Sequence, residues 1–335
     1  GWMGLTMAAA MLVPVDGFTA EVNVYSARKE ALIKPLLDRF TADTGITVNL
    51  VTGNASQLHE RLVSEGRNSP ADLFVTADVG NLYRAKTAGV LATVDSEVLR
   101  AAVPAAYRDP DGTWYGLSLR ARVIVYALDR VSRESLSTYE ALADGEWSDR
   151  VLVRSSSNVY NQSLIASLIA AHGEEQTEAW ARSLVANMAR RPKGGDTDQI
   201  RGVAAGEGDV AIANTYYYGR LVASDDPDKR AVADATRIFF PNQDGRGAHV
   251  NVSGAGVTAH APNAAPALRL LEFLASPAGQ QMFAELNHEF PVDVSVPASK
   301  VVQAWGDFKA DTSGLARFGE LNGAAIRLAD RAGWP

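Results

Sequence analysis

Strand and helix patterns alternate between residues 21 and 76, and this alternation limits the possible folds more than any other feature of the chain. Strand patterns occupy residues 21–25, 46–51 and 71–76, and helix patterns lie between them at residues 32–40 and 59–65. Such regular alternation predicts a parallel, doubly wound α/β lobe. Pro35 lies inside the first helix pattern, so we expect an irregular first turn or a later helix start.

A second series of strand and helix patterns begins after residue 150. The strand patterns are residues 151–154, 209–213 and 235–240. Apolar residues from 164 to 169 mark a helix that ends at Gly173. Two longer strand-like runs, residues 117–128 and 249–258, are long enough to cross from one lobe to another.

The chain length requires more than one ordinary core. With 335 residues, we predict an α/β fold of two doubly wound lobes joined by crossing hinge strands. Residues 21–119 and 247–295 are assigned to an N-terminal lobe, and residues 120–246 and 296–335 to a C-terminal lobe. Two lobes with two crossings are the architecture of a binding protein that closes on its ligand.

Charge, cysteine content and motifs exclude several classes of function. A net charge of -7 argues against nucleic acid or an anionic membrane as the main partner. The absence of cysteine excludes disulfides, thiolate metal sites and cysteine nucleophiles, and it fits an exported bacterial protein. The sequence contains no GxSxG motif, no phosphate loop and no GxGxxG after the first strand, so we expect no enzyme.

Residues 1–20 are apolar and contain no lysine or arginine. Residues 3–15 have the length of the apolar region of a signal peptide and are too short to span a bilayer. We interpret residues 1–20 as a partial signal peptide or a tag, with the mature chain starting near Glu21. The alternative is an N-terminal helix of the fold.

Three consecutive tyrosines, Tyr216, Tyr217 and Tyr218, follow the strand pattern of residues 209–213. The end of a strand is where α/β proteins place ligand sites. A phenolate is a hard anionic oxygen donor, and a trivalent cation such as Fe(III) can displace its proton. The run therefore indicates either a metal site or amphipathic core residues whose hydroxyl groups lie at the rim.

Six segments, taken together and in order, resemble the periplasmic ferric-ion-binding proteins that supply iron ABC importers. They are VYSAR (24–28), FTADTG (40–45), SPADLF (69–74), RARVIVY (120–126), NTYY (214–217) and VSGAG (252–256). No single segment is decisive, but the set covers nearly the whole chain after residue 20. The resemblance implies a fold like that of type II periplasmic binding proteins. It also implies a periplasmic monomer that delivers ferric iron to an inner-membrane ABC permease.

The resemblance also implies a set of metal ligands. Tyr216 and Tyr217 match the family's paired tyrosines, and Tyr160 matches a third tyrosine found in part of the family. Tyr218 matches no ligand, and we expect it to serve in packing. Some family members add a histidine, a tyrosine or a glutamate from the N-terminal lobe.

The N-terminal lobe departs from the family at the positions of these additional ligands. Lys29 stands where the histidine would be, Glu30 where the tyrosine would be, and Ala77 where the glutamate would be. This lobe therefore lacks its usual side-chain ligands. Asp78 and Glu30 are the remaining candidates for a ligand from this lobe.

An exogenous anion is expected to complete the metal site. Three tyrosinates balance the charge of Fe(III) but fill only three of about six positions, so we expect carbonate as a synergistic ligand. Arg28 and either Arg120 or Arg122 are candidates to hold it, unless they form ion pairs instead. The loop that begins at Ser155, with the helix after it, would add amide donors. These arginines would also lower the pKa of the tyrosines from about 10.

A binding protein of the same fold for another small ligand is the alternative function. Sites for oxyanions, thiamine or polyamines use serine, threonine and backbone donors, or aromatic side chains with acidic residues. Such sites do not require paired tyrosines.

Overall fold

The computed structural model describes residues 20–335. In this part of the chain the strands are β1 (Glu21–Ser26), β2 (Thr47–Thr52), β3 (Leu73–Ala77), β4 (Tyr115–Ala127), β5 (Val151–Leu152), β6 (Val210–Asn214), β7 (Thr236–Phe239), β8 (Ala248–Val257), β9 (Phe290–Pro291) and β10 (Ala310–Asp311). The α-helices are α1 (Glu30–Thr44), α2 (Ala55–Glu65), α3 (Val79–Thr87), α4 (Glu97–Ala102), α5 (Val159–His172), α6 (Glu174–Ala186), α7 (Asp196–Ala204), α8 (Thr215–Val222), α9 (Pro227–Ala235), α10 (Ala264–Ala275), α11 (Pro277–Asn287), α12 (Lys300–Gln303), α13 (Leu315–Glu320) and α14 (Asn322–Ala332).

The strands pair in the order β2-β1-β3-β8-β4-β6-β5. β1 is parallel to β2 and β3, and β5 is parallel to β6, because the helices between them carry the chain back across the sheet. Between these parallel groups, β8 is antiparallel to both β3 and β4, and β4 is antiparallel to β6. The predicted α/β fold, with two parallel groups joined by long strands, is confirmed.

β4 is the strand that belongs to both groups. Residues 115–121 of β4 pair with β8, whereas residues 122–127 pair with β6 or β7. All 13 residues of β4 are buried. β8 is also buried throughout; it starts beside β10 and ends beside β3. The division of the chain into two lobes at 119/120, 246/247 and 295/296 stays a prediction.

Of the two alternatives expected for the first helix, the later start is wrong, because α1 begins at Glu30 and continues through Pro35. Its first turn contains a tighter hydrogen bond, from Leu32 N to the carbonyl of Lys29 at 2.9 Å. A proline inside a helix costs about 3 kcal/mol. However, α1 buries four apolar side chains, among them Ile33 and Phe40. Each such burial contributes about 1.5–3 kcal/mol. Packing therefore outweighs the lost hydrogen bond.

The predicted signal peptide or tag lies outside the described residues, except for its last position, Ala20. Within residues 20–335, no helix combines the length and the hydrophobicity that crossing a membrane requires.

Candidate metal centre

The tyrosine run lies at the start of α8, directly after the buried strand β6. Thr215 begins the helix, and its hydroxyl accepts a hydrogen bond from the backbone N–H of Ala121 at 3.2 Å. This contact fixes the start of α8 against β4. Successive side chains on a helix point about 100° apart, so Tyr218 lies about 200° around the helix from Tyr216 and faces different surroundings.

Tyr160 and Tyr216 bring their hydroxyl groups together, although 56 positions separate them in the sequence. The Tyr216 hydroxyl donates to that of Tyr160 at 3.1 Å. Tyr160 lies in the first turn of α5, where the Asn158 side chain accepts from its backbone N–H at 3.0 Å. The ring of Tyr217 packs on that of Tyr216, with centroids 4.3 Å apart. The three tyrosines that the resemblance assigns to a metal therefore lie in one cluster.

Tyr218 points elsewhere. Its buried hydroxyl donates to the carbonyl oxygens of Ala233 at 3.2 Å and Thr236 at 2.9 Å. Tyr218 thus connects α8 to the end of α9, as expected for a packing residue.

Burial controls the protonation of Tyr160 and Tyr216. Burial, reinforced by the charges of Tyr160 and Tyr217, raises the pKa of Tyr216 well above its usual value. Burial and the charge of Tyr217 raise the pKa of Tyr160 to about 12, although Arg120 acts in the opposite direction. For these two residues the expected lowering of the pKa is wrong, because the loss of hydration exceeds the effect of the arginine. A cation that binds both side chains as phenolates near neutral pH must therefore displace their protons.

Two arginines lie against the paired tyrosines. The Arg120 guanidinium carbon is 5.6 Å from the ring centre of Tyr216. The Arg220 guanidinium carbon is 5.2 Å from the ring centre of Tyr216 and 5.5 Å from the ring centre of Tyr217. Arg220 Nε also donates to the Asn287 side chain at 2.7 Å. Sequence reasoning missed Arg220, although its position four residues after Tyr216 on one helix indicates contact.

Arg28 and Arg120, two of the predicted anion-binding residues, converge on one buried carboxylate. Glu289 is 0% exposed; its Oε2 lies 2.7 Å from Arg28 Nη2 and its Oε1 lies 3.1 Å from Arg120 Nη2. Both arginines also donate to the hydroxyl of Ser253. Burial alone would raise the pKa of Glu289, but the two guanidinium groups lower it to about 2. Sequence reasoning missed Glu289, because nothing in the local sequence relates it to Arg28.

Arg122 has a different set of partners. Its Nη1 donates to Asp196 at 3.0 Å and to Asn214 at 2.9 Å, and its Nη2 donates to Asn161 at 2.6 Å. Arg122 therefore connects α7, β6 and α5, the elements next to the tyrosines. Arg154, whose guanidinium carbon lies 5.6 Å from the Tyr160 ring centre, approaches Asp196 at 3.4 Å. Between Arg120 and Arg122, the geometry favours Arg120 as the arginine that faces the tyrosines.

Ser155 lies in the loop before α5 and is half-buried. Its hydroxyl is 2.8 Å from that of Ser157, and its carbonyl accepts from the Asn161 side chain at 3.1 Å. The loop is thus held by the residue that follows Tyr160. A role for Ser155 in binding an anion stays a prediction.

The candidate ligands of the N-terminal lobe differ in position. Glu30 and Lys29 are exposed at the start of α1. Asp78 is 1% exposed and has a left-handed φ of 78°. One oxygen of Asp78 accepts from Ser163 at 2.5 Å and from Gly80 N at 2.9 Å. Burial raises the pKa of Asp78. Among residues 20–335, no cluster of three His, Cys, Asp or Glu side chains could hold a metal, which leaves the tyrosines as the candidate donors.

The strand order, with two parallel groups joined by β4 and β8, defines the class of bilobal solute-binding proteins. Residues 68–309 match the family model described as bacterial extracellular solute-binding protein, and the chain belongs to that family.

Several relatives of the chain carry names that refer to iron. It is 49% identical to iron uptake protein A1 of Synechocystis sp. over 325 residues, which are 97% of this chain and 90% of the relative. A Trichodesmium protein (IdiA, FutA) solved in complex with iron and citrate ligands is 49% identical, with a TM-score of 0.92 over 94% of this chain and 100% of that chain. A ferric binding protein from Campylobacter jejuni is 39% identical, with a TM-score of 0.89 over 94% and 100% of the two chains. The resemblance found in the sequence is therefore confirmed.

Proposed function

We propose that this protein captures Fe(III) between its two lobes and delivers it to an inner-membrane ABC permease. It would act in the periplasm, as a monomer and without catalysing a reaction. One observation carries the proposal: the hydroxyl groups of Tyr160 and Tyr216 lie 3.1 Å apart, with the ring of Tyr217 packed on Tyr216. The iron uptake and ferric-binding relatives support the same ligand.

The protonation of the tyrosines favours a trivalent metal. With a pKa of about 12, Tyr160 loses its proton at pH 7 only at a cost of about 7 kcal/mol. A metal that binds there must recover this cost through its bond to the phenolate. Fe(III) has the charge and the preference for hard oxygen donors that this requires, and divalent ions have less of both.

A synergistic anion, carbonate in our proposal, would complete the shell next to Arg28 and Arg120. The two guanidinium groups and Glu289 together carry one net positive charge, which favours an anion at the metal. A relative solved with both iron and citrate supports a site that includes an exogenous anion. Arg122 and Ser155 remain secondary candidates for the same role.

The two lobes assigned from the sequence would close on the metal. The hydrogen bond from Ser163 of α5 to Asp78, which precedes α3, crosses the proposed division between the lobes.

The visible spectrum tests the proposal. Adding Fe(III) to verified apo protein should produce an orange to red colour from phenolate-to-iron charge transfer, whereas the apo protein should be colourless. A preparation that stays colourless with Fe(III) in the presence of bicarbonate would contradict the tyrosinate site. It would then favour a binding protein for an oxyanion, thiamine or a polyamine.

A further inference from the structure

A cavity of about 650 Å³ lies beside α8 and is lined by none of the three candidate metal ligands. We call it the arginine cavity. Its polar lining consists of Arg133, Arg230, Arg237 and Asp234, and Tyr218 and Trp305 contribute aromatic surface. Its volume is within the range of about 300–1,000 Å³ that is common for small-molecule sites.

The charge of the arginine cavity is unbalanced. Three guanidinium groups share it with one carboxylate, and within residues 20–335 none of Arg133, Arg230 and Arg237 forms an ion pair. Elsewhere on the same lobe, Arg130 and Arg150 both bind Asp209, at 2.8 and 2.6 Å. Unpaired arginines that line one concave surface repel each other and attract an anion.

Two of these arginines are held in place. Arg237 Nη1 donates to the carbonyl oxygens of Ala233 at 3.1 Å and Thr236 at 2.7 Å. The Arg133 guanidinium carbon lies 5.3 Å from the ring centre of Phe239. Both side chains are exposed, and these contacts limit their conformations, which reduces the entropy that an anion loses when it binds them.

The remaining wall of the cavity is apolar. Leu128 and Val222 are 44% and 38% exposed, and both line the cavity. The half-buried ring of Trp305 lies 6.3 Å from that of Tyr218. Large apolar side chains left exposed beside cationic groups fit a ligand that has an apolar body and an anionic head.

We propose that the arginine cavity binds a small organic anion, in which an aromatic or aliphatic ring carries a carboxylate or a phosphate. The guanidinium groups hold the anionic head, and Trp305, Leu128 and Val222 contact the ring. The site is separate from the metal centre: α8 contributes Tyr218 and Val222 to the cavity and Tyr216 and Tyr217 to the metal centre. The ligand needs no iron to bind.

Titration of the iron-free protein with phenyl phosphate and with benzoate tests this inference. Calorimetry should give a Kd of about 1 mM or lower for at least one of them. In protein labelled with ¹⁵N at tryptophan, the indole resonance of Trp305 should shift during the same titration. Replacing both Arg133→Gln and Arg230→Gln should weaken binding about tenfold or more.

Matched controls distinguish binding in the arginine cavity from general attraction of anions to surface arginines. Arg269→Gln replaces an exposed arginine of α10 outside the cavity and should leave binding unchanged. The double variant should keep the far-ultraviolet circular dichroism spectrum and the thermal unfolding midpoint of the wild type, which shows that it is folded. Three outcomes would overturn the inference: neither aryl anion binds, the double variant binds them as tightly as wild type, or inorganic phosphate or benzyl alcohol binds equally well. A failed metal site would leave this result unaffected.

Discussion

Replacing Tyr160 with phenylalanine should weaken iron binding by an amount that depends on pH in a defined direction. The pKa of Tyr160 is about 12, so its hydroxyl is protonated in the apo protein at any pH from 5 to 8. Binding iron as a phenolate therefore releases one proton from this side chain, and the phenylalanine variant releases one proton fewer. Other protons, including those from carbonate, are released by both proteins and cancel in a comparison.

The size of this effect follows from proton linkage. The ratio of wild-type to Tyr160→Phe affinity should fall tenfold for each unit by which the pH is lowered. The free-energy difference between the two proteins thus shrinks by about 1.4 kcal/mol per pH unit. Wild-type iron affinity itself should fall as pH falls, because protons compete for every phenolate. The variant also loses the hydrogen bond from Tyr216, which lowers the free energy of unfolding of the apo protein by about 1 kcal/mol.

Competition against a chelator of known iron affinity at each pH, followed through the visible band, measures the ratio. Tyr218→Phe is the matched control, because the Tyr218 hydroxyl donates to the carbonyls of Ala233 and Thr236, away from the metal centre, and its loss should leave the pH dependence unchanged. A wild-type to Tyr160→Phe ratio that stays constant between pH 5 and 8 would refute the reasoning. It would mean that Tyr160 does not bind the metal as a phenolate.

Three further predictions concern the same site. Tyr217→Phe should shift the visible band and reduce iron affinity severely, whereas Tyr218→Phe should do neither. If an iron titration shows equal losses of affinity for both variants, the three consecutive tyrosines serve the structure and not the metal. Arg28→Ala should weaken iron binding about tenfold or more in bicarbonate but much less in bicarbonate-free buffer. The reason is that it removes charge-assisted hydrogen bonds to the anion. Equal losses in both buffers would contradict a role for Arg28 in binding the anion. Glu289→Gln should lower the free energy of unfolding by about 3 kcal/mol above pH 5, since the pKa of Glu289 is held at about 2 in the folded protein. That difference should disappear in denaturant titrations as pH falls towards 2, and a difference that persists there would have another cause.

Sequence reasoning recovered the features that have a local pattern. Most of the strands are largely buried, and apolar or alternating runs indicated the longer ones to within a few residues. α5 shows the limit: its apolar pattern starts only at Leu164, but the helix begins at Val159. Asn161, Gln162 and Ser163 are buried polar residues that hide the pattern, and the first two bind carbonyls of the preceding loop.

The site was predictable in its donors but not in its surroundings. Tyr216 and Tyr217 stand out in the sequence, and their resemblance to a family pattern extends to Tyr160. Glu289 does not stand out, since its contact with Arg28 depends on how the chain folds over 261 positions. The direction of the tyrosine pKa shift was wrong for a related reason. Burial is a property of the whole fold, whereas neighbouring arginines can be guessed from the sequence.

The position of β8 also determines the order in which the molecule can be completed. β3 and the first half of β4 both need β8 as a neighbour, but β8 is Ala248–Val257, far downstream of either strand. During synthesis, β3 and the first half of β4 therefore each lack a neighbouring strand until most of the chain has been made. Contacts of such long range form slowly, and they keep strand edges open in the growing chain. The same strand makes folding cooperative, because a fragment that ends before residue 248 leaves β3 and β4 without their shared partner.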